Sequence, residues 1–188
     1  SVTRFLEDKL LLRVNREKSK ISRPDQCHLL GFGFRYKKGG CIPRVSERPK
    51  EQLKEKIRAI TKRNRGVSIQ QVLEELNMVT RGWINYFRIG SMKKFMKEFG
   101  QWLRHKIRVV IIKQWKKPMR VYTNLQRINK RFKCNFTDED IFKVANTRLG
   151  LYRQCGLNVI NFIISPKVLA IQKAERPGLV NPLEYYLR

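Results

Sequence analysis

The sequence predicts a mainly α-helical protein with a short N-terminal helix and β-hairpin, a three-helix bundle and a small basic helical module. Three observations support this fold class. Glycine and aromatic residues alternate between residues 27 and 45, which is typical of a hairpin. After Pro49, apolar residues recur at helical spacing and the strand pattern does not return. Pro118 follows a basic run and marks the start of the last module. The predicted parts are residues 1–46, 47–117 and 118–188.

The dominant property of the chain is positive charge. Its 188 residues include 42 Lys and Arg against 15 Asp and Glu, which gives a formal net charge of +27. Such an imbalance causes self-repulsion in a compact fold, and a polyanion relieves it by neutralising the charge and releasing counterions. The charge therefore favours a nucleic acid as the partner. Because the basic residues are spread over the whole length rather than gathered in one anchor, we expect no membrane partner.

The sequence also indicates a compartment. It contains no run of about 18 apolar residues and no apolar leader with a small-residue cleavage site, so we expect a soluble, cytoplasmic protein. The cysteines form no C-x-x-C pair and the two histidines are far apart, which favours reduced, mostly buried thiols over a metal site. These cysteines are Cys27, Cys41, Cys134 and Cys155.

The N-terminal part predicts a helix followed by a hairpin. Val2, Phe5 and Leu10 lie at helical spacing behind Ser1, a plausible helix cap. The hairpin strands are separated by the turn sequence KKGG at residues 37–40. Gly31 and Gly33 are expected on one face of the first strand, and glycine there indicates that a ligand or another segment approaches the backbone closely.

The middle part predicts three amphipathic helices. The first carries an apolar stripe that includes Leu53 and Ile57, and Ser68 is expected to cap the second, over residues 69–89. The third covers roughly residues 92–116, and its second half is apolar on nearly every face, so we expect it to be buried. Helices joined by such short breaks are best packed as a bundle.

No set of residues in the chain points to catalysis. An acidic cluster at residues 138–140 could in principle bind a divalent metal, but acids in a first turn behind Thr137 are what a helix N-terminus favours. The common phosphate-binding, serine-hydrolase and zinc-protease motifs are absent from the sequence. We therefore expect no catalytic residue, no bound metal and no cofactor in this chain.

The stretch MVTRGWINYFRIG, residues 78–90, concentrates aromatic and basic side chains. At helical spacing, Leu76, Trp83 and Phe87 are expected in the core of the bundle. A polar stripe of Asn77, Arg81, Asn85 (or Ile84 beside it) and Arg88 is expected on the opposite, outward face, with Tyr86 at the border. The ring of Tyr86 is expected to pack while its hydroxyl reaches a phosphate or a backbone group.

The third helix is expected to present a basic face. Acidic residues that would pair with its cations at i, i+4 spacing are few, so the face should bind a phosphate backbone rather than serve only as a solvated surface. The expected RNA-binding residues on this helix are Lys93, Lys94, Lys97, Arg104 and Arg108.

Five segments in order resemble the C-terminal part of a bacterial group II intron reverse transcriptase, which is also a maturase. They resemble, in turn, the segment after the catalytic motif, the primer grip at the end of the palm, the signature of the thumb called domain X, the last thumb helix and the C-terminal end. The segments are LRVNREKSK (12–20), LLGFGF (29–34), LNMVTRGWINYFRIG (76–90), IIKQWKKP (111–118) and LVNPLEYYL (179–187).

The resemblance implies a binding role. Members of the family use domain X to contact intron RNA and assist its splicing, and to cradle the template–primer duplex beside the palm. Matching positions assign RNA contacts to Arg81, Asn85, Tyr86 and Arg88. They assign the primer grip to Leu30, Gly31, Phe32 and Gly33, and a basic palm segment to Lys18 and Lys20. The resemblance further implies a glycine face against the primer end and a DNA-binding region after Pro118.

The same resemblance limits the expected activity. The family's polymerase needs aspartates in a Y-x-D-D motif to hold two metal ions, and this motif is absent from the sequence. We therefore expect no polymerase activity from this chain alone. Implied partners are group II intron RNA, target DNA or an RNA–DNA template–primer, and the N-terminal polymerase region. The alternative is a stand-alone structural RNA-binding protein of ribosomal type, which fits the charge but not the ordered segments.

Overall fold

The computed structural model describes residues 2–15, 17, 19, 22–37, 40–171 and 177–188. The predicted Ser1 cap and the basic palm residues Lys18 and Lys20 lie outside the described residues. The described chain is mainly helical, with a small antiparallel sheet near its N-terminus, as the sequence predicts.

The N-terminal helix is short and its apolar stripe is not packed. Helix α1 (Val2–Arg4) continues into a π-helical turn, Phe5–Lys9. Phe5 is 57% exposed and Leu10 is 50% exposed, so the predicted stripe forms without joining the core.

The sheet contains one strand more than the predicted hairpin. Strands β1 (His28–Leu29), β2 (Phe32–Lys37) and β3 (Gly40–Val45) are antiparallel in the order β1-β2-β3. The β2–β3 pairing places Gly33 opposite Arg44 and continues to the end of both strands. The extra strand, β1, pairs only two residues with β2, too few to leave an alternating pattern in the sequence.

Gly31 lies in a turn and not on a strand face, which corrects the prediction. Leu30 and Gly31 both have positive φ, 50° and 83°, and reverse the chain between β1 and β2. A Cβ atom on Gly31 would lie 3.0 Å from Cγ of Pro49 and 3.1 Å from Cε1 of Phe87. The close neighbour of this glycine is therefore another segment of the chain.

The predicted bundle consists of helices α2 (Glu47–Ile60), α3 (Ile69–Phe87) and α4 (Lys93–Trp115). Ser68 caps α3 as predicted, because its Oγ accepts a hydrogen bond of 3.2 Å from the amide of Gln71. Helix α2 packs against α3, and the rings of Trp83 and Phe95 join α3 to α4 with centroids 5.8 Å apart. The second half of α4 is buried, as its apolar composition predicts.

The chain after α4 forms a cluster of short helices. They are α5 (Pro118–Phe132), α6 (Asp138–Ala145), α7 (Leu151–Gln154), α8 (Asn158–Ile163) and α9 (Pro166–Ala170). Helices α5, α6 and α8 pack against one another, while α7 packs against α4. The acids at the start of α6 form a capping box, in which Asp140 and Thr137 bond each other's backbone amide, as the sequence predicts.

The last helix returns to the bundle. Helix α10 (Pro182–Leu187) packs against both α3 and α4. A Cβ atom on Gly100 of α4 would lie 3.5 Å from Cδ of Pro182, at ordinary van der Waals distance, so the two helices are in contact at this point. The C-terminal residues thus complete the core that α2, α3 and α4 begin.

Two further findings concern side chains and membranes. All four cysteines are free, but only Cys155 is buried and Cys41 is exposed, so the expectation of mostly buried thiols is wrong.

Within the described parts of the chain, no helix is long and apolar enough to cross a membrane. In the same parts, no three His, Cys, Asp or Glu side chains are grouped as metal ligands would be.

Candidate nucleic-acid interface

The sheet is fixed against the junction between α3 and α4. The amide of Ser91 donates a hydrogen bond of 2.9 Å to the carbonyl of Pro43 on β3. A Cβ atom on Gly90 would lie 3.0 Å from Cγ2 of Val45 and 3.3 Å from Cε1 of Phe32, so a larger residue would crowd both side chains. The sheet and the start of α4 therefore form two fixed walls.

A groove that we call the basic groove lies between the sheet and the first turns of α2 and α4. It has a volume of about 690 Å³. Six cationic side chains and two carboxylates line it among the described residues. The cations are Arg35, Arg44, Lys50, Lys54, Lys93 and Lys94, and the carboxylates are Glu47 and Glu98.

An aromatic ring orders part of this positive charge. The Nζ atoms of Lys50 and Lys54 lie 5.3 and 5.8 Å from the centroid of the Phe95 ring. Lys50 also donates a hydrogen bond of 2.7 Å to Glu47, and this bond is the main reason that the pKa of Glu47 is lowered. Tyr36 is 57% exposed at the sheet side of the groove. The groove thus offers cations and an accessible aromatic ring together, as sites for single-stranded nucleic acids do.

The groove contains two of the predicted RNA-binding residues. Lys93 and Lys94 line it, whereas Lys97 is exposed further along α4 and does not line it. Sequence reasoning missed the four cations on the sheet and on α2. The shared position of Lys50 and Lys54 could have been predicted from the sequence, because residues four apart share a helix face. The positions of Arg35 and Arg44 could not have been predicted in this way, because strand pairing brings them to the groove.

The polar stripe on α3 is covered by the C-terminal segment, which sequence reasoning did not anticipate. Asn77 is 4% exposed, so its predicted outward position is wrong. It donates a hydrogen bond of 2.8 Å to the carbonyl of Gly178 and accepts one of 2.9 Å from the amide of Val180. The N-terminal end of the polar stripe therefore binds the chain's own C-terminal segment.

Tyr185 on α10 continues this contact along the same stripe. Its hydroxyl donates a hydrogen bond of 3.1 Å to Oδ1 of Asn85, and the guanidinium of Arg81 lies 5.8 Å from its ring centroid. Both Arg81 and Asn85 remain exposed, as does Arg88 at the end of α3. The predicted contacts of these residues with RNA stay a prediction, with Tyr185 as a neighbour that would share the site.

The aromatic residues of the signature divide between core and surface. Leu76 and Phe87 are buried as predicted, and Ile84 is fully buried as well. Trp83 is half-buried rather than enclosed, and its Nε1 donates a hydrogen bond of 3.3 Å to the carbonyl of Pro49. Tyr86 is 56% exposed, and its hydroxyl lies 3.4 Å from the carbonyl of Leu30, the backbone group that the sequence analysis allowed for.

The residues matched to the primer grip contact this helix. Phe32 is buried and its ring centroid lies 5.2 Å from that of Phe87. Leu30 is 73% exposed, while Gly33 lies beside His28, whose ring would be 3.5 Å from a Cβ atom there. Neighbouring segments of the chain thus occupy the space beside the glycines. The exposed Leu30 is the member of this set that remains accessible to a partner.

Arg108 does not lie on the basic face of α4, contrary to the prediction. It is 6% exposed, and its guanidinium donates hydrogen bonds of 2.9 Å to the carbonyl of Ile164 and 3.2 Å to that of Asn161. Burial, with a smaller contribution from Arg104, lowers the pKa of Arg108 to about 10. The side chain is still charged at neutral pH and satisfies carbonyls at the end of α8.

Arg104 is only half-buried, so it keeps access to solvent. Burial lowers its pKa, and Glu184 on α10 partly opposes that effect. Its predicted contact with RNA stays a prediction. Of the five cations predicted on α4, three are exposed, one is half-buried and one is internal.

Comparison with known proteins assigns the central part of the chain. Residues 50–131 match the family model described as "Group II intron, maturase-specific domain". A search of curated proteins gives no match. The matched residues include α3 with its signature, α4, and nearly all of α2 and α5. Over these residues, the match confirms the resemblance stated from the sequence: this part of the chain is similar to the maturase-specific domain of group II introns.

Proposed function

We propose that this chain binds group II intron RNA through the basic groove and so assists folding and splicing of the intron. The observation that carries the proposal is the excess of six cations over two carboxylates in a single groove that begins at the junction between α3 and α4. The maturase-specific match supports intron RNA as the polyanion. In a longer protein, the same groove would contact the template–primer or target DNA.

The physical basis of the proposed binding is phosphate neutralisation. Each lysine or arginine that contacts a phosphate releases condensed counterions, which makes affinity fall as salt rises. Lys93 and Lys94 begin α4 on one wall, and Arg44 lies on the opposite wall. A strand between the walls would be contacted from both sides, whereas one basic helix face contacts it from one side.

The test is the salt dependence of binding to a structured group II intron RNA. We expect the double variant Lys93→Gln/Lys94→Gln to bind more weakly. The slope of log affinity against log salt should become shallower by about 1.4 to 1.8, because two phosphate contacts are lost. Fluorescence anisotropy between low and moderate KCl would measure both effects.

The matched control is Lys130→Gln/Lys167→Gln, which removes the same charge at two exposed lysines outside the groove. We expect its slope to stay close to that of the parent chain. Equal losses in the two variants would mean that only net charge matters and would overturn the groove as the binding site.

A second measurement tests the maturase role itself. The chain should accelerate splicing of a group II intron at a low Mg²⁺ concentration where the RNA alone splices slowly, and Lys93→Gln/Lys94→Gln should reduce that acceleration. Binding of an unrelated ribosomal RNA fragment with the same affinity, without an effect on splicing, would support a general structural RNA-binding protein instead. The expected absence of polymerase activity stays a prediction, to be checked by primer extension.

A further inference from the structure

A second cationic surface, which we call the ladder, continues along α2 and α4 beyond the basic groove, because the rings of Phe95, Phe99 and Trp102 pack in a row on one face of α4. It consists of Arg58 on α2, Trp102 and Lys106 on α4, and Tyr152 on α7. The guanidinium of Arg58 lies 5.8 Å from the centroid of Trp102. The Nζ atom of Lys106 lies 5.7 Å from the same centroid and 5.3 Å from that of Tyr152.

The ladder adjoins the basic groove and connects two parts of the molecule. None of its residues lines the groove. Arg58 belongs to the helical bundle, whereas Tyr152 belongs to the cluster of short helices after α4. Arg58 is exposed and Tyr152 is 52% exposed, while Trp102 and Lys106 are half-buried between them. A ligand on the ladder would therefore contact both parts at once.

The cations of the ladder act on one another as like charges. Burial lowers the pKa of Lys106, and the nearby charges of Arg58 and Arg63 lower it further. The aromatic rings attract the cations but carry no net charge, so they hold the cations in place without neutralising them. An anion placed between Arg58 and Lys106 would relieve this repulsion.

The exposed ring of Tyr152 gives the surface a second property. His105 contacts the ring edge-on, with centroids 4.2 Å apart, and so fixes its orientation. A fixed, half-exposed aromatic ring beside cations is suited to stacking a nucleobase whose phosphates the cations contact. A duplex keeps its bases stacked internally, so this arrangement favours a single strand.

We propose that the ladder binds a single-stranded segment of RNA, with phosphates at Arg58 and Lys106 and a base stacked on Tyr152. This inference rests on the proposed function, because it takes RNA as the partner, but it concerns residues that do not line the basic groove. A folded RNA that occupies the groove with one element would reach the ladder with an unpaired one.

The test uses a short single-stranded oligouridine and a hairpin duplex of the same charge as probes. For the full chain carrying Arg58→Gln/Lys106→Gln, we expect weaker binding of the single strand and a salt slope shallower by about 1.4, the value for two contacts on a single strand. The control, Lys130→Gln/Lys167→Gln, should leave the slope close to that of the parent. Circular dichroism checks that each variant is folded. If the double variant does not fold, the single variant Arg58→Gln, at an exposed position, should give about half of the expected change in salt slope.

Stacking is tested at Tyr152 independently of charge. Tyr152→Leu should lower affinity for the single strand several-fold without changing the salt slope. Tyr152→Phe keeps an aromatic ring and should retain the affinity of the parent chain. If Tyr152→Leu lowered the affinity for the duplex as much as that for the single strand, the proposal that the ladder prefers a single strand would be overturned. Unchanged binding in the Arg58 and Lys106 variants, with loss in Lys93→Gln/Lys94→Gln, would overturn the ladder and leave the groove intact. Unchanged binding in both sets would overturn both proposals.

Discussion

At the scale of single residues, Arg108 has a structural role. Its two hydrogen bonds join α4 to carbonyls at the C-terminal end of α8, where helical carbonyls have no partner within the helix. The positive charge also lies at the negative end of that helix dipole, which is favourable. A buried cation is tolerated here because these carbonyls replace the lost water.

We expect Arg108→Met to lower the free energy of unfolding by about 1.5 to 3 kcal/mol, because two carbonyls lose a charged donor. Urea denaturation followed by circular dichroism measures this loss. Arg108→Lys keeps the charge but not the planar pair of donors, so it should be destabilised too. The folded Arg108→Met variant should bind RNA with an unchanged salt slope. A shallower slope in this variant would return Arg108 to the binding surface.

The errors at this scale have a common cause. Helical spacing predicts which residues share a face but not which neighbours will cover that face. Asn77 and Arg108 were assigned to outward faces because they are polar, yet each is buried by a segment distant in sequence that supplies hydrogen-bond partners. Leu76 and Phe87, whose burial depends on apolar spacing alone, were predicted correctly.

At the scale of elements, the C-terminal segment stabilises α3 along much of its length. Gln70 near the start of α3 donates a hydrogen bond of 3.2 Å to the carbonyl of Pro177. Beyond the far end, the hydroxyl of Tyr186 donates one of 3.1 Å to the carbonyl of Gly90. Asn77 and Asn85 make the contacts between these two points. The signature helix is therefore held by residues about a hundred positions later in the chain.

Asn77→Ala tests this attachment. Because it leaves the carbonyl of Gly178 and the amide of Val180 without their partner, we expect the unfolding free energy to fall by about 1 to 3 kcal/mol. The control Asn85→Ala removes one bond at an exposed position and should cost less. Carboxypeptidase should shorten Asn77→Ala faster than the control. Equal digestion rates would show that Asn77 does not hold the C-terminus in place.

Element prediction from the sequence worked where a pattern was local. The three bundle helices, the Ser68 cap and the β2–β3 hairpin follow from spacing, capping residues and glycine turns within a few positions. The two-residue strand β1 and the docking of α10 depend on tertiary contacts, for which a single sequence carries no periodic signal. The basic groove escaped prediction because more than half of its lining comes from the sheet and α2, which only tertiary packing brings beside the start of α4.

At the scale of the whole molecule, the free protein carries a large uncompensated charge. The formal net charge is +27, and the described residues form three ion pairs, Lys50–Glu47, Arg65–Glu75 and Lys143–Glu139. Most cations of the described residues therefore have no direct contact with a carboxylate. Repulsion of this kind lowers the stability of the compact state and is screened by salt.

Salt should consequently act in opposite directions on the free protein and on its RNA complex. The Debye length falls from about 10 Å at 0.1 M to about 3 Å at 1 M ionic strength, so KCl should stabilise the free chain. A gain of about 1 kcal/mol would raise Tm by about 2 to 4 °C for a chain of this size. Over the same range, bound RNA should dissociate because counterion release becomes less favourable.

Differential scanning fluorimetry across this KCl range, with and without RNA, measures both effects. The variant Lys130→Glu/Lys167→Glu lowers the net charge by four through exposed residues outside the basic groove. It should show a higher Tm at 0.1 M KCl and a shallower rise with salt, because less repulsion remains to be screened. A Tm of the free parent chain that stays level or falls as KCl rises would show that its charges are not mutually destabilising. Relief of self-repulsion would then not contribute to RNA binding, and the affinity would have to come from the phosphate contacts alone.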